Sequence, residues 1–321
     1  MRLPNIHHSA KPRLPTKNGV GASCVVLPPN DAAKWPTLLD YLVVRFATLT
    51  RAQIEGRLLN GDITNDLGQP VSPTSPFIGN QKLYYYRAVV DEPPIPFEEQ
   101  ILFEDEFLLA VDKPHFLPIV PAGRFVQETV LVRLKNKLGI DTLAPMHRID
   151  RETAGVVLFT KQTATRGRYQ TLFQNRLVDK QYLAVAPWRD NLVFPMTVRS
   201  RIVESAHFMR MMESTGEPNA QTTIELLARE NGLGLYRLSP LTGRKHQLRV
   251  QMAALGLPIV NDQIYPNHVF QDDANLSKPL QLLAQSIGFT DPITGAVRHF
   301  ESRRSLSVGV MPPPANLADA G

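Results

Sequence analysis

His147-Arg148-Ile149-Asp150-Arg151-Glu152-Thr153-Ala154-Gly155-Val156-Val157-Leu158-Phe159-Thr160-Lys161 is the stretch on which the reading of this chain turns. Gly155–Thr160 is apolar toward both faces, the pattern of a strand that lies centrally in a sheet. The residues before it are polar and turn-like. Asp150 therefore stands on a short loop feeding a rigid element, between two arginines whose guanidinium groups favour its ionised form. On spacing alone two readings fit: a loop aspartate paired with an arginine, or a carboxylate held ready for chemistry.

Working outward from this strand, apolar strand patterns alternate with helical ones. Phe107–Asp112 is a short apolar strand, Val126–Leu138 has helical spacing ending at Gly139, and Thr163–Arg176 is again helical. Gln181–Ala186 forms a strand, Thr222–Ala228 and Gly234–Ser239 form a strand pair, and His246–Leu255 forms a helix stopped by Gly256. The expected fold class is α+β, with a mixed, largely antiparallel sheet flanked by helices. Toward the N-terminus, Thr37–Ala47 and a helix starting at Thr50, with Gln53 completing a capping box, precede turn chemistry at Asp62–Gly68. The organisation read from sequence is an irregular arm over 1–36, a small helix–helix–hairpin unit over 37–90, which the resemblance described below makes a possible RNA-binding domain, and a Pro-rich linker over 91–99. A large domain of strands and helices over 100–311, the catalytic one on the resemblance described below, and a Pro/Ala-rich tail over 312–321 follow.

Composition bounds the function. With 43% hydrophobic and 20% charged residues among 321, the chain has the makeup of a globular protein, and no apolar run is long enough to span a bilayer. The single cysteine, Cys24, excludes an internal disulfide and fits a reducing cytoplasm. A net charge of +5 permits a polyanionic partner without requiring one. His7-His8 lacks accompanying ligands, and there is no metal-ligand spacing, dinucleotide fingerprint or Gly-rich phosphate loop. Neither metal nor cofactor is expected.

The stretch 147–161 resembles the signature of the RluA-type pseudouridine synthases, in which His-Arg-Leu-Asp is followed by Thr-Ser-Gly and an apolar strand. LFEDEFLLAVDKP (102–114) is similar to that family's opening segment, and LVDKQYLAVA (177–186) to its Lys-x-Tyr strand. LSPLTGRKHQLRVQMAALGLPIVNDQIY (238–265) is similar to its third motif, and FTDPITG (289–295) to its closing segment. Five matches in family order are far more specific than one.

The resemblance implies that Asp150 is the catalytic aspartate of an enzyme that isomerises uridine in ribosomal or transfer RNA, ribosomal RNA being preferred. It implies that Arg148 helps extrude the target nucleotide, that Tyr182 stacks on the flipped base, and that Arg249 pairs with Asp150, Arg244 being the second choice. Arg151 is expected beside phosphates, and so are Arg51 and Arg57 on the small N-terminal unit. His147 and His246 are expected to be structural. The enzyme is expected to act as a monomer with no obligate protein partner. Three positions depart from the family pattern: Ala154 replaces Ser, Gln251 replaces His, and Leu283 replaces His. Two other functions compete. One is a non-catalytic RNA-binding or ribosome-assembly protein on the same fold. The other is a glycoside hydrolase pairing Asp150 with Glu152.

Overall fold

A computed structural model of the chain describes residues 14–29, 34–87, 92–207, 209–267 and 275–306. It divides into two compact units, one running to Glu92 and including Gly123–Gln127, the other formed by Pro93–Ala122 and the chain from Glu128 onward. His7-His8 and the tail over 312–321 lie outside the described residues.

In the N-terminal unit, α1 (Leu38–Arg45) and α2 (Arg51–Leu59) start where the sequence places them. The Thr37 and Thr50 side chains accept from the backbone N–H of Asp40 and Gln53, and both capping boxes close. Their apolar faces, Leu38, Leu42, Ile54 and Leu58, bury against Leu27 and Leu83. The sheet beside them differs from the expected hairpin. The Asn65–Gln69 turn forms, but β2 (Ile63–Thr64) pairs with β3 (Lys82–Tyr85), and β3 also pairs with β1 (Ser23–Val26). The arm over 1–36 thus contains a strand. Its partner lies some sixty residues downstream, and local periodicity carries no trace of such a pairing.

The second unit is a large mixed sheet. Its strands are β4 (Gln100–Glu104), β5 (Leu108–Lys113), β6 (Ala144–Pro145), β7 (Ala154–Thr160), β8 (Asp179–Pro187), β9 (Met196–Glu204), β10 (Met211–Ser214), β11 (Ala220–Glu230), β12 (Leu233–Pro240), β13 (Leu282–Thr290) and β14 (Val297–Glu301). Their order is β10-β9-β11-β12-β8-β13-β7-β5-β4, with β14 on β13 and β6 on β7. Every pairing is antiparallel except β7 with β13, where Ala154 faces Leu283 and Gly155 faces Ala284. β7 is buried at every residue, as its two apolar faces require. Gly155 has φ +113°, and a Cβ there would lie 2.2 Å from the Ala284 carbonyl oxygen, so only glycine lets the two strands approach.

Three helices cover this sheet: α3 (Val130–Leu138), α4 (Arg166–Gln174) and α5 (Gln247–Ala254). α3 begins at Val130 and not at Val126, because Thr129 caps it and the Val126 and Gln127 N–H groups are held by the Glu92 carboxylate. α4 also starts later than its periodicity suggests. Alternate residues of β5 and β7 (Leu108, Ala110, Val156, Leu158) pack with Tyr169 and Leu172 of α4. Alternate residues of β8, β11 and β12 pack with Leu248 and Met252 of α5. Each such buried leucine contributes about 1.5–3 kcal/mol. The segment over 93–99 is not a free linker. Ile95 is buried, its N–H donates to Glu128, and Arg133 of α3 takes the Ile95 and Phe97 carbonyls at 2.7 Å each. Proline richness there marks an extended strap whose carbonyls an arginine satisfies.

Candidate active site

Asp150 stands in the loop that enters β7, and that loop is fastened at three successive carbonyls. The Thr153 N–H closes a tight turn onto the Asp150 carbonyl at 3.2 Å. Lys113, fully buried at the end of β5, donates to the Arg151 carbonyl at 2.9 Å and to those of Pro114 and Leu117 at 2.8 and 2.9 Å. His115 Nδ1 donates to the Glu152 carbonyl at 2.6 Å. Three acceptors around one ammonium match its three hydrogens, although burial pulls the lysine down to about 7. Neither Lys113 nor His115 stood out in the sequence as a site residue, yet the Asp-Lys-Pro segment was the available signal.

The Asp150 carboxylate meets two groups that lie far along the chain, His246 and Arg249. Arg249, on α5 and only 1% exposed, donates from Nη1 to Asp150 Oδ2 at 3.1 Å. The rest of its guanidinium is clamped by Asp262 through two bonds of 2.8 Å, and Nη1 also lies 3.8 Å from Glu152. His246 Nε2 lies 3.8 Å from Asp150 Oδ1. Burial would raise the Asp150 carboxyl, but His246 and Arg249 outweigh it, and the group is held below the ordinary carboxylate value. Arg249 is the permanent part of that effect, since a guanidinium keeps its proton and this one is pushed further up. A carboxylate kept ionised and gripped through one oxygen can serve as nucleophile or base.

Asp150 lines a cavity of about 580 Å³ together with Arg148, Tyr182, Arg244 and Arg249. The structure thereby gathers residues more than a hundred positions apart in sequence. Tyr182 stands on β8, its phenol raised by burial and by Asp150, so it stays neutral. Arg244 does not reach Asp150; it donates from Nε to the Asn219 carbonyl. Arg176 and Lys180 also line the cavity, and the sequence did not single them out. Arg151 pairs with Glu152 at 2.8 Å, and neither lines the cavity, so a two-carboxylate hydrolase gains no support. His147 lines the cavity as well, with its ring already engaged: Nε2 accepts from the Leu158 N–H, the ring stacks on Phe173, and burial pushes it down to about 3. Arg51 and Arg57 belong to the N-terminal unit. Arg51 is exposed and pairs with Asp40, while Arg57 donates to the Tyr86 carbonyl. Among the described residues no cluster of ligands suits a metal ion, and no helix is long and apolar enough to cross a membrane.

Comparison with known proteins agrees with this architecture. Residues 107–254 match the family model described as RNA pseudouridylate synthase. The chain is 31% identical over 231 residues to an uncharacterised RNA pseudouridine synthase of Synechocystis, slr1592, spanning 71% of this chain and 79% of that protein. It is 34% identical over 210 residues to the dual-specificity RNA pseudouridine synthase RluA of Vibrio vulnificus, spanning 62% of this chain and 81% of that one. The solved structure of human RNA pseudouridylate synthase domain containing 1 shares the fold, with a TM-score of 0.54, 22% identity, and coverage of 66% of this chain and 86% of that one. This chain belongs to the RNA pseudouridine synthase family, and within it to the RluA type.

Proposed function

We propose that the chain converts a uridine of structured RNA, ribosomal RNA before transfer RNA, to pseudouridine, with Asp150 as the catalytic carboxylate acting on a flipped-out nucleotide. The observation that carries this is the Asp150–Arg249 pair on the wall of the cavity. Its volume of about 580 Å³ suits an extruded nucleotide, since small-molecule sites run from about 300 to 1,000 Å³. In the reaction the glycosidic bond from N1 to the ribose breaks, the uracil turns, and a bond forms from C5 to the same ribose carbon. C5 gives up a proton and N1 ends with one, so the change is an isomerisation that consumes no redox partner. Asp150 acts on the sugar, as nucleophile or as base. Tyr182 offers its ring to the uracil, and Arg148, exposed at the cavity, supports the strand that the nucleotide leaves. Arg244 and, outside the cavity, Arg151 meet phosphates. The lone Cys24 suits a reducing cytoplasm.

Tritium release from RNA carrying 5-³H-uridine reads the reaction directly. Asp150→Asn and Asp150→Ala are expected to lower it by roughly four orders of magnitude, with RNA affinity in a gel-shift assay kept within a few-fold. Turnover retained by the alanine variant would sink the assignment and leave an RNA-binding protein on this fold. Mapping pseudouridines in cells with and without the protein is expected to show a missing site in ribosomal RNA.

A further inference from the structure

His246 is the neighbour of Asp150 to which the scheme above gives no part. Its backbone is left-handed, φ 54° and ψ 18°, a conformation that a non-glycine residue keeps only where its surroundings impose it. It stands directly before α5, yet its side chain caps no helix N–H. The ring instead bridges two groups: Nδ1 is 2.9 Å from the Tyr265 hydroxyl and Nε2 is 3.8 Å from Asp150 Oδ1, with 9% of the side chain exposed.

The hydroxyl decides which nitrogen carries the proton. Tyr265 accepts the Met211 N–H at 2.8 Å and has one proton of its own to give. That proton goes either to His246 Nδ1 at 2.9 Å or to the Met211 carbonyl at 3.3 Å; the second arrangement needs Nδ1–H to donate to the hydroxyl and turns a bare Nε2 lone pair toward the Asp150 carboxylate, so the first is favoured. A hydroxyl that donates to Nδ1 leaves the imidazole hydrogen on Nε2, facing Asp150. Burial lowers the imidazole below its ordinary value; Asp150 and Glu152 pull it up, while Arg249 and Lys245 add to the depression. A neutral ring with a fixed N–H fits that balance.

We propose that His246, set in the Nε2–H tautomer by Tyr265, is a positioning residue that supplies the second donor to Asp150. Arg249 fixes Oδ2, and His246 fixes Oδ1 when substrate fills the cavity. At 3.8 Å the contact is open; a move of less than about 1 Å closes it, as catalytic hydrogen bonds commonly do on binding. With both oxygens directed, the carboxylate meets the sugar along one line. This rests on Asp150 being the reacting carboxylate.

Two measurements test it. Two-bond ¹H–¹⁵N correlation spectra of the histidine-labelled protein, assigned by the loss of one signal in His246→Gln, are expected to show a neutral Nε2–H tautomer at pH 7, converting to Nδ1–H in part in Tyr265→Phe. An Nδ1–H tautomer or an imidazolium in the unaltered protein overturns the proposal. In tritium release, His246→Gln is expected to lower kcat about tenfold with KM for RNA within twofold, and adding Tyr265→Phe to it to cost less than twofold more. Unchanged kcat, or losses that multiply in the double variant, overturn it. Thermal unfolding of each variant shows whether a loss comes from the fold. Activity surviving in Asp150→Ala would refute the scheme above, whereas a dead Asp150→Ala beside a fully active His246→Gln refutes this inference alone.

Discussion

At the scale of single residues, the site is a small set of charges whose states are fixed by what buries them. Asp150 is held ionised by His246 and Arg249, and Arg249 owes its direction to Asp262, a loop residue whose side chain is 1% exposed and also accepts the N–H groups of Ile264 and Tyr265. Asp150 and Arg249 were legible in the sequence because they fall in ordered motifs. Asp262 was only a letter in the third motif, since nothing local says that a loop aspartate will clamp a helix arginine. His246 was read as structural, and only three-dimensional distance shows it beside the carboxylate. Two other histidines give a pH prediction. Burial lowers His115 to about 4 and His147 to about 3 from an ordinary 6.5. Between those values and 6.5 the unfolded chain binds protons that the folded chain does not, so stability is present above pH 6.5 and drains as pH falls through that window. Urea unfolding at pH 7 and pH 4.5 is expected to show a loss on the order of a few kcal/mol, and His147→Asn a shallower dependence. An unaltered slope in that variant would show that His147 titrates normally.

Among elements, the β7–β13 contact is the most demanding. Two of the three departures from the family pattern meet there: Ala154 and Leu283 are register partners, exposed 0% and 1%. A Ser and a His placed at these two positions would face each other in a dry sheet, and losing both members of such a pair together is far cheaper than losing one. Ala154→Ser alone is therefore expected to cost about 1–3 kcal/mol for an unpartnered buried hydroxyl, and less in a Leu283→His background. Equal costs in both backgrounds, measured by denaturant unfolding, would show the positions to be independent. The third departure is also accommodated. Gln251 accepts from Thr222 at 2.6 Å and donates to Ser200 at 3.0 Å, so its amide is satisfied within the sheet. Elements with strong local signals, such as α1, α2, β7 and the β11–β12 pair, could be read from sequence. β1 could not, because only a partner some sixty residues away makes it a strand, whereas β9 and β10 form a neighbouring hairpin whose alternation over Met196–Glu204 was a usable signal that the sequence reading passed over.

On the scale of the whole molecule, the charge excess and the two-unit organisation bear on RNA. If Arg51 and Arg57 meet phosphates, replacing both by Ala is expected to weaken RNA binding and reduce the slope of log affinity against log salt by roughly 0.7–0.9 per lost contact, with kcat on bound RNA unchanged. An identical salt slope would take these residues out of the RNA interface. The order of the large sheet has a different consequence, one that concerns the making of the protein. β4, β5 and β7 form one half of it and β8 to β12 the other, and among the described residues only β13, the thirteenth strand in chain order, hydrogen-bonds to both. Asp150 leads into the first half, while Tyr182 and, on α5, Arg249 pack with the second. During synthesis both halves emerge well before the strand that joins them, and contacts so distant in sequence form late. A nascent chain that stops short of Leu282 thus carries the carboxylate, the tyrosine and the arginine without the strand that brings them together, and on the scheme proposed above the site is assembled as one of the last acts of folding.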